Sequence, residues 1–161
     1  MTNKIADNFG GRLRIRVCGL ALRHDSILLI RHEGVGKGGY LWAPPGGEVH
    51  YQEDLHQALQ REFKEETNLD IEVKDFLAVN EFNNGPLHAI ELFFTVDTHQ
   101  GEPVTGSDPE LSEHDQVIKE VRYVSFSELN QLSDDKKHNL LHREMNQDAL
   151  LNMKGHFKLW Q

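Results

Sequence analysis

Two prolines and two glycines in a row, Pro44-Pro45-Gly46-Gly47, rule out helix at that point, and a helical pattern begins shortly beyond them. Leu55, Ala58, Leu59 and Phe63 recur at three- and four-residue steps, so the spacing predicts a helix over residues 54–67. Asn68 closes the pattern, because asparagine tolerates the left-handed conformation in which helices often end.

The acids on this helix make it unusual. At about 100° per residue, Glu62, Glu65 and Glu66 continue the face that is apolar one turn earlier. Glu62 and Glu66 are four residues apart, where like charges repel. All three sit in the last turns, where the helix dipole favours cations. A solvated acidic helix end is the ordinary explanation of such a run. The shared inward azimuth and the preceding Gly-Gly turn favour another: the three carboxylates await a hard divalent cation, Mg²⁺ or Mn²⁺, which takes oxygen ligands.

Gly47, Glu53, then Arg61-Glu62-Phe63 with Glu65-Glu66 and Asn68-Leu69, at these spacings, resembles the Nudix box, Gly-x5-Glu-x7-Arg-Glu-U-x-Glu-Glu-x-Gly-U, of the Nudix hydrolases. Asn68 replaces the final glycine, a mild change since both residues accept the left-handed region. The resemblance implies that Glu62, Glu65 and Glu66 bind Mg²⁺ or Mn²⁺, with the Gly47 carbonyl completing the site. It implies that Glu53 and Arg61 form an ion pair that fixes the loop to the helix. The reaction implied is hydrolysis of a nucleoside diphosphate linked to another group, with Glu62, or Glu110 or Glu113 from a downstream loop, as the base. A nucleotide-sugar sensor without turnover is the alternative, which the intact Glu62, Glu65 and Glu66 argue against. Pro86 lies further from the box than the proline of ADP-ribose hydrolases, and no tyrosine sits where dinucleoside-polyphosphate hydrolases carry one. ADP-ribose-like compounds and (deoxy)nucleoside triphosphates both remain open as substrates.

A length of 161 residues suggests one domain, residues 1–161. A net charge of −9 argues against nucleic acid or an anionic membrane as main partner, though not against an anionic small molecule beside a bound metal. The single cysteine, Cys18, lies in an apolar run and reads as a buried thiol. No apolar run approaches the roughly 18 residues of a membrane span, and the first residues carry no apolar signal segment, so a cytoplasmic protein is expected.

Elsewhere the chain reads as alternating strands and loops. Residues 1–10 form a polar lead-in. Residues 12–23 alternate, with Leu13, Ile15 and Val17 on one face and Arg12, Arg14 and Arg16 on the other; this is a half-buried strand, in a hairpin with residues 27–30. The arginine face is solvated, or else Arg14 and Arg16 meet phosphate in a cleft. Gly34-Val35-Gly36-Lys37-Gly38-Gly39 has the spacing of a dinucleotide loop, but no helix follows, so it reads as a mobile loop whose Lys37 is a candidate phosphate contact. Trp42 is core, or an aromatic platform for a base. Residues 71–79 and 87–96 form a second hairpin, and Glu91 within it joins the acids if it faces the helix. Residues 98–115 form a long polar loop of the functional kind, carrying Asp108, Glu110 and Glu113. A strand over 117–124, a short helix capped by Ser127, and a helix over about 134–153 on the Leu141, Met145, Ala149 stripe follow. The apolar tail, Phe157, Leu159 and Trp160, docks on the domain or on a second copy, making a homodimer one expectation. The whole reads as an α/β fold, a mixed and partly antiparallel sheet between helices in an α/β/α sandwich.

Overall fold

Strand β1 (Leu13–Arg23) is the seam of the fold. The computed structural model describes the backbone of residues 2–160 and the side chains of residues 6–159. Along most of its length β1 runs parallel to β6 (Leu87–Thr98), from Leu13↔His88 to Ala21↔Val96. Its other side takes β4 (Gly46–Glu48), antiparallel, through Arg16↔Glu48 and Cys18↔Gly46. Its far end turns into β2 (Ser26–Glu33). From β2 the sheet continues antiparallel to β3 (Tyr40–Ala43) and β7 (Ile118–Ser125). On the opposite side β6 pairs antiparallel with β5 (Ile71–Asn84), and β5 pairs parallel with β8 (Gly155–Trp160). Eight strands thus form one mixed sheet.

Helix α2 (Leu55–Thr67) covers one face, burying Ala58, Leu59 and Phe63 against Val17, Leu28 and Val96. Short helices α3 (Phe126–Gln131) and α4 (Gln147–Leu151), with turns of 3₁₀ helix, cover the other, where Leu129, Leu140, Met145 and Leu150 meet Leu20, Ile27 and Phe93. This is the expected α/β/α sandwich. Among the described residues, no helix is long and apolar enough to cross a membrane.

Four local expectations fail. The lead-in is a helix, α1 (Thr2–Phe9), stopped by Gly10 and Gly11. The helix expected over 134–153 breaks into 3₁₀ turns at Asp134–Lys136 and Asn139–Leu141 and the short α4, which Asn146 caps through its side chain to Ala149 N–H. The apolar stripe found its burial without helical continuity, and the tail beyond it is β8 of the chain's own sheet. Ser125, not Ser127, caps α3, accepting from the Glu128 N–H. On β1, Leu13 and Ile15 are 55% and 40% exposed while Arg14 is only 8% exposed, the reverse of the expected burial at the start of the strand, although Val17 on the same face as Leu13 and Ile15 is buried and Arg12 is exposed as expected.

Candidate active site

The two ends of α2 explain its placement. Asp54 caps the start, accepting from His56 N–H at 2.9 Å. Asn68 ends it at φ 59°, in the left-handed region. The carbonyls of the last turn, which no helix can satisfy internally, are taken by the 98–115 loop. Val104 N–H donates to Thr67 O (2.9 Å), Gly106 N–H to Glu66 O (2.9 Å) and Ser107 N–H to Glu65 O (3.2 Å). A Cβ at Gly106 would lie 1.9 Å from the Glu65 carbonyl oxygen, so only glycine allows this approach.

The last two turns of α2 turn Glu62 and Glu66 inward; they are 8% and 6% exposed. Glu66 accepts from Gly46 N–H at 2.9 Å. Glu62 lies against Gly47, where a Cβ would fall 2.3 Å from its carboxyl carbon. Burial pushes the Glu66 carboxyl well above the usual carboxylate range, and the Glu62 charge pushes it further. Glu62 is raised as well, by burial, against the pull of Arg61. Glu65 departs from the expected inward trio: it stands at the rim, its side chain 28% exposed.

Arg61 organises this corner. Its Nε and Nη2 donate to the two oxygens of Glu53 (2.8 and 3.0 Å), Nη2 also to Glu48 O (3.0 Å), and Nη1 to Glu62 (2.8 Å) and Glu65 (3.2 Å). Hydrogen bonding from Arg61 holds Glu53 down at about 2. The guanidinium therefore ties the 48–53 loop to α2 and also engages Glu62 and Glu65, two of the three glutamates on the helix.

Glu62 and Glu66 form one wall of a cleft of about 170 Å³. Arg14, Arg16 and Cys18 of β1 and Glu91 of β6 also line it. Arg14 donates from Nε to Glu48 (2.8 Å) and Arg16 from Nη2 to Gly46 O (3.2 Å), while Arg16 Nε is buried with no hydrogen-bond partner among the described residues. Glu91 is 5% exposed and accepts from Asn80 Nδ2 and from His138 Nε2, each at 2.8 Å. Leu140 N–H donates to His138 Nδ1, so the ring proton sits on Nε2. Burial would raise Glu91, yet His138 and Arg16 outweigh it and hold it at about 2. His32 also lines the cleft, and burial beside Arg16 lowers it to about 4.

Of the other residues singled out in the sequence, Glu110 reaches the cleft from the 98–115 loop. Three do not reach it. Trp42 is 4% exposed within the core on the α3 and α4 side, with the Arg122 guanidinium 4.9 Å over its ring. Lys37 is exposed on its glycine-rich loop, which reaches the cleft through Val35. Glu113 is exposed in a 3₁₀ turn, Glu113–Asp115. Sequence reasoning missed His32, Phe9 and His138, and did not single out Asp108 from its acidic loop. Asp108 lines the cleft, raised by burial, and the Gln116 carboxamide holds its backbone through Asp108 N–H and O, both at 2.7 Å.

Among the described residues no three carboxylate, imidazole or thiol groups converge into a ready coordination sphere. The donor set nonetheless suits a hard cation: two buried carboxylates, of which the Glu62 charge raises the proton affinity of Glu66, with the partly exposed Glu65 on the same turns of the helix.

The model of the NUDIX domain matches residues 12–148. The chain is 32% identical over 121 residues to an ADP-ribose pyrophosphatase of Methanocaldococcus jannaschii, covering 66% of this chain and 71% of that protein. It is 31% identical over 83 residues to Nudix hydrolase 2 of Arabidopsis thaliana, a match spanning half of this chain and 30% of that longer protein. Among solved structures, a MutT NUDIX hydrolase from Burkholderia pseudomallei superposes with a TM-score of 0.66 at 20% identity, covering 84% of this chain and 99% of that one. A UDP-X diphosphatase superposes with a TM-score of 0.61 at 17% identity, covering 97% and 75%. The box on α2, the mixed sheet beneath it and these matches agree: the chain belongs to the Nudix hydrolase family.

Proposed function

We propose that the chain hydrolyses the phosphoanhydride of a nucleoside diphosphate linked to another group, with ADP-ribose the first substrate to test and (deoxy)nucleoside triphosphates the second. One observation carries the reading. Two buried carboxylates, Glu62 and Glu66, share a single cleft with two arginines, Arg14 and Arg16. Acids there suit a divalent cation and guanidiniums suit phosphate oxygens. The M. jannaschii relative, named an ADP-ribose pyrophosphatase, supports the substrate class.

Glu62 and Glu66, with Glu65 and the Gly47 carbonyl, would hold Mg²⁺ or Mn²⁺. When bound, the ion neutralises diphosphate charge and lowers the pKa of a coordinated water. Arg14 and Arg16 bind and orient the phosphates. As a water oxygen bonds to phosphorus and the anhydride P–O bond breaks, a cleft-lining carboxylate, Glu62, Glu110 or Asp108, would take the water proton. Arg61 keeps the box loop and α2 in register through Glu53. The buried, intact Glu62 and Glu66 favour turnover over silent binding.

The test is incubation with Mg²⁺ and a panel of nucleotides, ADP-sugars and dinucleoside polyphosphates, measuring released monophosphate, phosphate and pyrophosphate. Turnover should fall at least about 10²-fold in Glu65→Gln and in Glu66→Gln. Unchanged turnover in either variant would refute the metal assignment.

A further inference from the structure

The cleft has an apolar end that the hydrolase reading leaves unused. Phe82 of β5 and Leu87 of β6 line it, together with Phe9 at the end of α1. Helix α1 precedes the residues matched by the family model. Its placement is secured by backbone. Gly10 N–H donates to Ala6 O at 2.8 Å, and Gly11 N–H donates to Pro86 O at 3.0 Å, tying the helix end to the β5–β6 turn. Phe9 is 9% exposed, and the Arg14 guanidinium lies 4.4 Å from the centre of its ring.

Arg14 joins the two ends of the cleft. Glu48 holds its Nε, and its terminal nitrogens make no hydrogen bond among the described residues although the side chain is 9% exposed. A buried guanidinium with unused donors, lining a cleft, is suited to an anion. A molecule with phosphates on Arg14 and Arg16 extends its remaining part towards Phe9, Phe82 and Leu87. That wall offers ring faces and methyl groups and few hydrogen-bonding groups, so it suits a flat ring better than a hydroxyl-rich sugar.

Resting on the hydrolase reading above, we propose that Phe9 is a specificity-determining residue, stacking a flat heterocyclic ring of the substrate at the apolar end of the cleft. Stacking of a base on an aromatic side chain is worth roughly tenfold or more in affinity. The test is calorimetric binding of ADP and of inorganic pyrophosphate, in the same Mg²⁺ buffer, to the wild-type chain and to Phe9→Ala, Phe9→Leu and Phe9→Tyr. ADP binding should weaken about tenfold in Phe9→Ala and return in Phe9→Tyr, while pyrophosphate binding changes less than twofold. Phe9→Leu, which keeps apolar volume without a ring face, carries the test if the alanine variant fails to fold; thermal melting of each variant reports that. Equal weakening of both ligands would reduce Phe9 to a prop for Arg14 and overturn the proposal. Unchanged ADP binding in the variants, or no measurable ADP binding by the wild type, would also overturn it. Absent hydrolysis with this binding pattern intact would count against the hydrolase reading alone.

Discussion

Gly47→Ala should cost about 10²-fold in kcat and leave the fold in place. The added Cβ would lie 2.3 Å from Cδ and Oε1 of Glu62 and 2.5 Å from Oε2. Carbon contacts are favourable at about 3.5 Å, so the carboxylate must retreat by roughly 1 Å. It has little room, because the side chain is buried and its Oε1 accepts from Arg61 at 2.8 Å. A 1 Å misplacement of a reacting group costs on the order of 10²-fold, or about 2.7 kcal/mol on the barrier. The backbone tolerates alanine, since Gly47 is not among the residues with positive φ, and the β4–β1 pairing uses main-chain groups only. Crowding of this kind lowers stability by about 1–3 kcal/mol, at roughly 2–4 °C per kcal/mol for a domain of this size. The assay is kcat at saturating ADP-ribose with Mg²⁺, with the melting temperature from circular dichroism. A kcat within twofold of wild type would refute the claim that Gly47 cradles a working carboxylate.

Two further outcomes test the scaffold around the site. Glu53 titrates at about 2 in the fold against an ordinary 4.5, so its pairing with Arg61 contributes stability above about 4.5 that is lost as pH falls towards 2. Glu53→Gln should therefore cost about 1–2 kcal/mol in urea melts at pH 7 and match wild type near pH 2; a gap independent of pH would contradict the assignment. Gly106→Ala, with its Cβ 1.9 Å from the Glu65 carbonyl, should lift the loop from the end of α2 and speed amide exchange at Gly106 and Ser107. Unchanged exchange there would show that the loop is held by something else.

What could be read from the sequence was what local chemistry fixes. Asn68 could be read as the end of α2 because capping involves only neighbouring residues, and the apolar period sets the start of the helix to within a residue of the observed one. The inward azimuth of Glu62 and Glu66 follows from helical period alone. Glu65 was misjudged because Arg61, four residues earlier, draws it to the rim. The facing of β1 was not legible. Burying Arg14 depends on Glu48, 34 residues away, and on Phe9 in a helix whose sequence looked merely polar. Leu13 and Ile15 stay exposed at the start of the strand, whereas Val17, further along the same face, is buried beneath α2. The C-terminal stripe misled for a related reason: His138, Leu140 and Met145 are each fixed by distant partners, Glu91, the core and Asn130, rather than by helical neighbours. Strand β8 owes its existence to β5, 77 residues upstream by the Val79↔His156 register, and nothing in Phe157 or Leu159 announces a parallel pairing.

Glu62 and Glu66 are kept inward at a cost to the fold. Glu66 has a folded-state pKa raised by burial above its unfolded value, so its ionisation destabilises the protein as pH rises past the unfolded value. The decisive measurement is thermal melting at pH 7 of wild type and Glu66→Gln, each with and without Mn²⁺. Without metal, the variant should melt at or above wild type, because the neutral amide cannot acquire a buried charge. With Mn²⁺ at about 100 times its Kd, wild type should gain about 2.7 kcal/mol, and the variant should gain far less. A wild-type chain that does not respond to Mn²⁺, or a variant that responds equally, would contradict the claim that these residues hold a divalent ion.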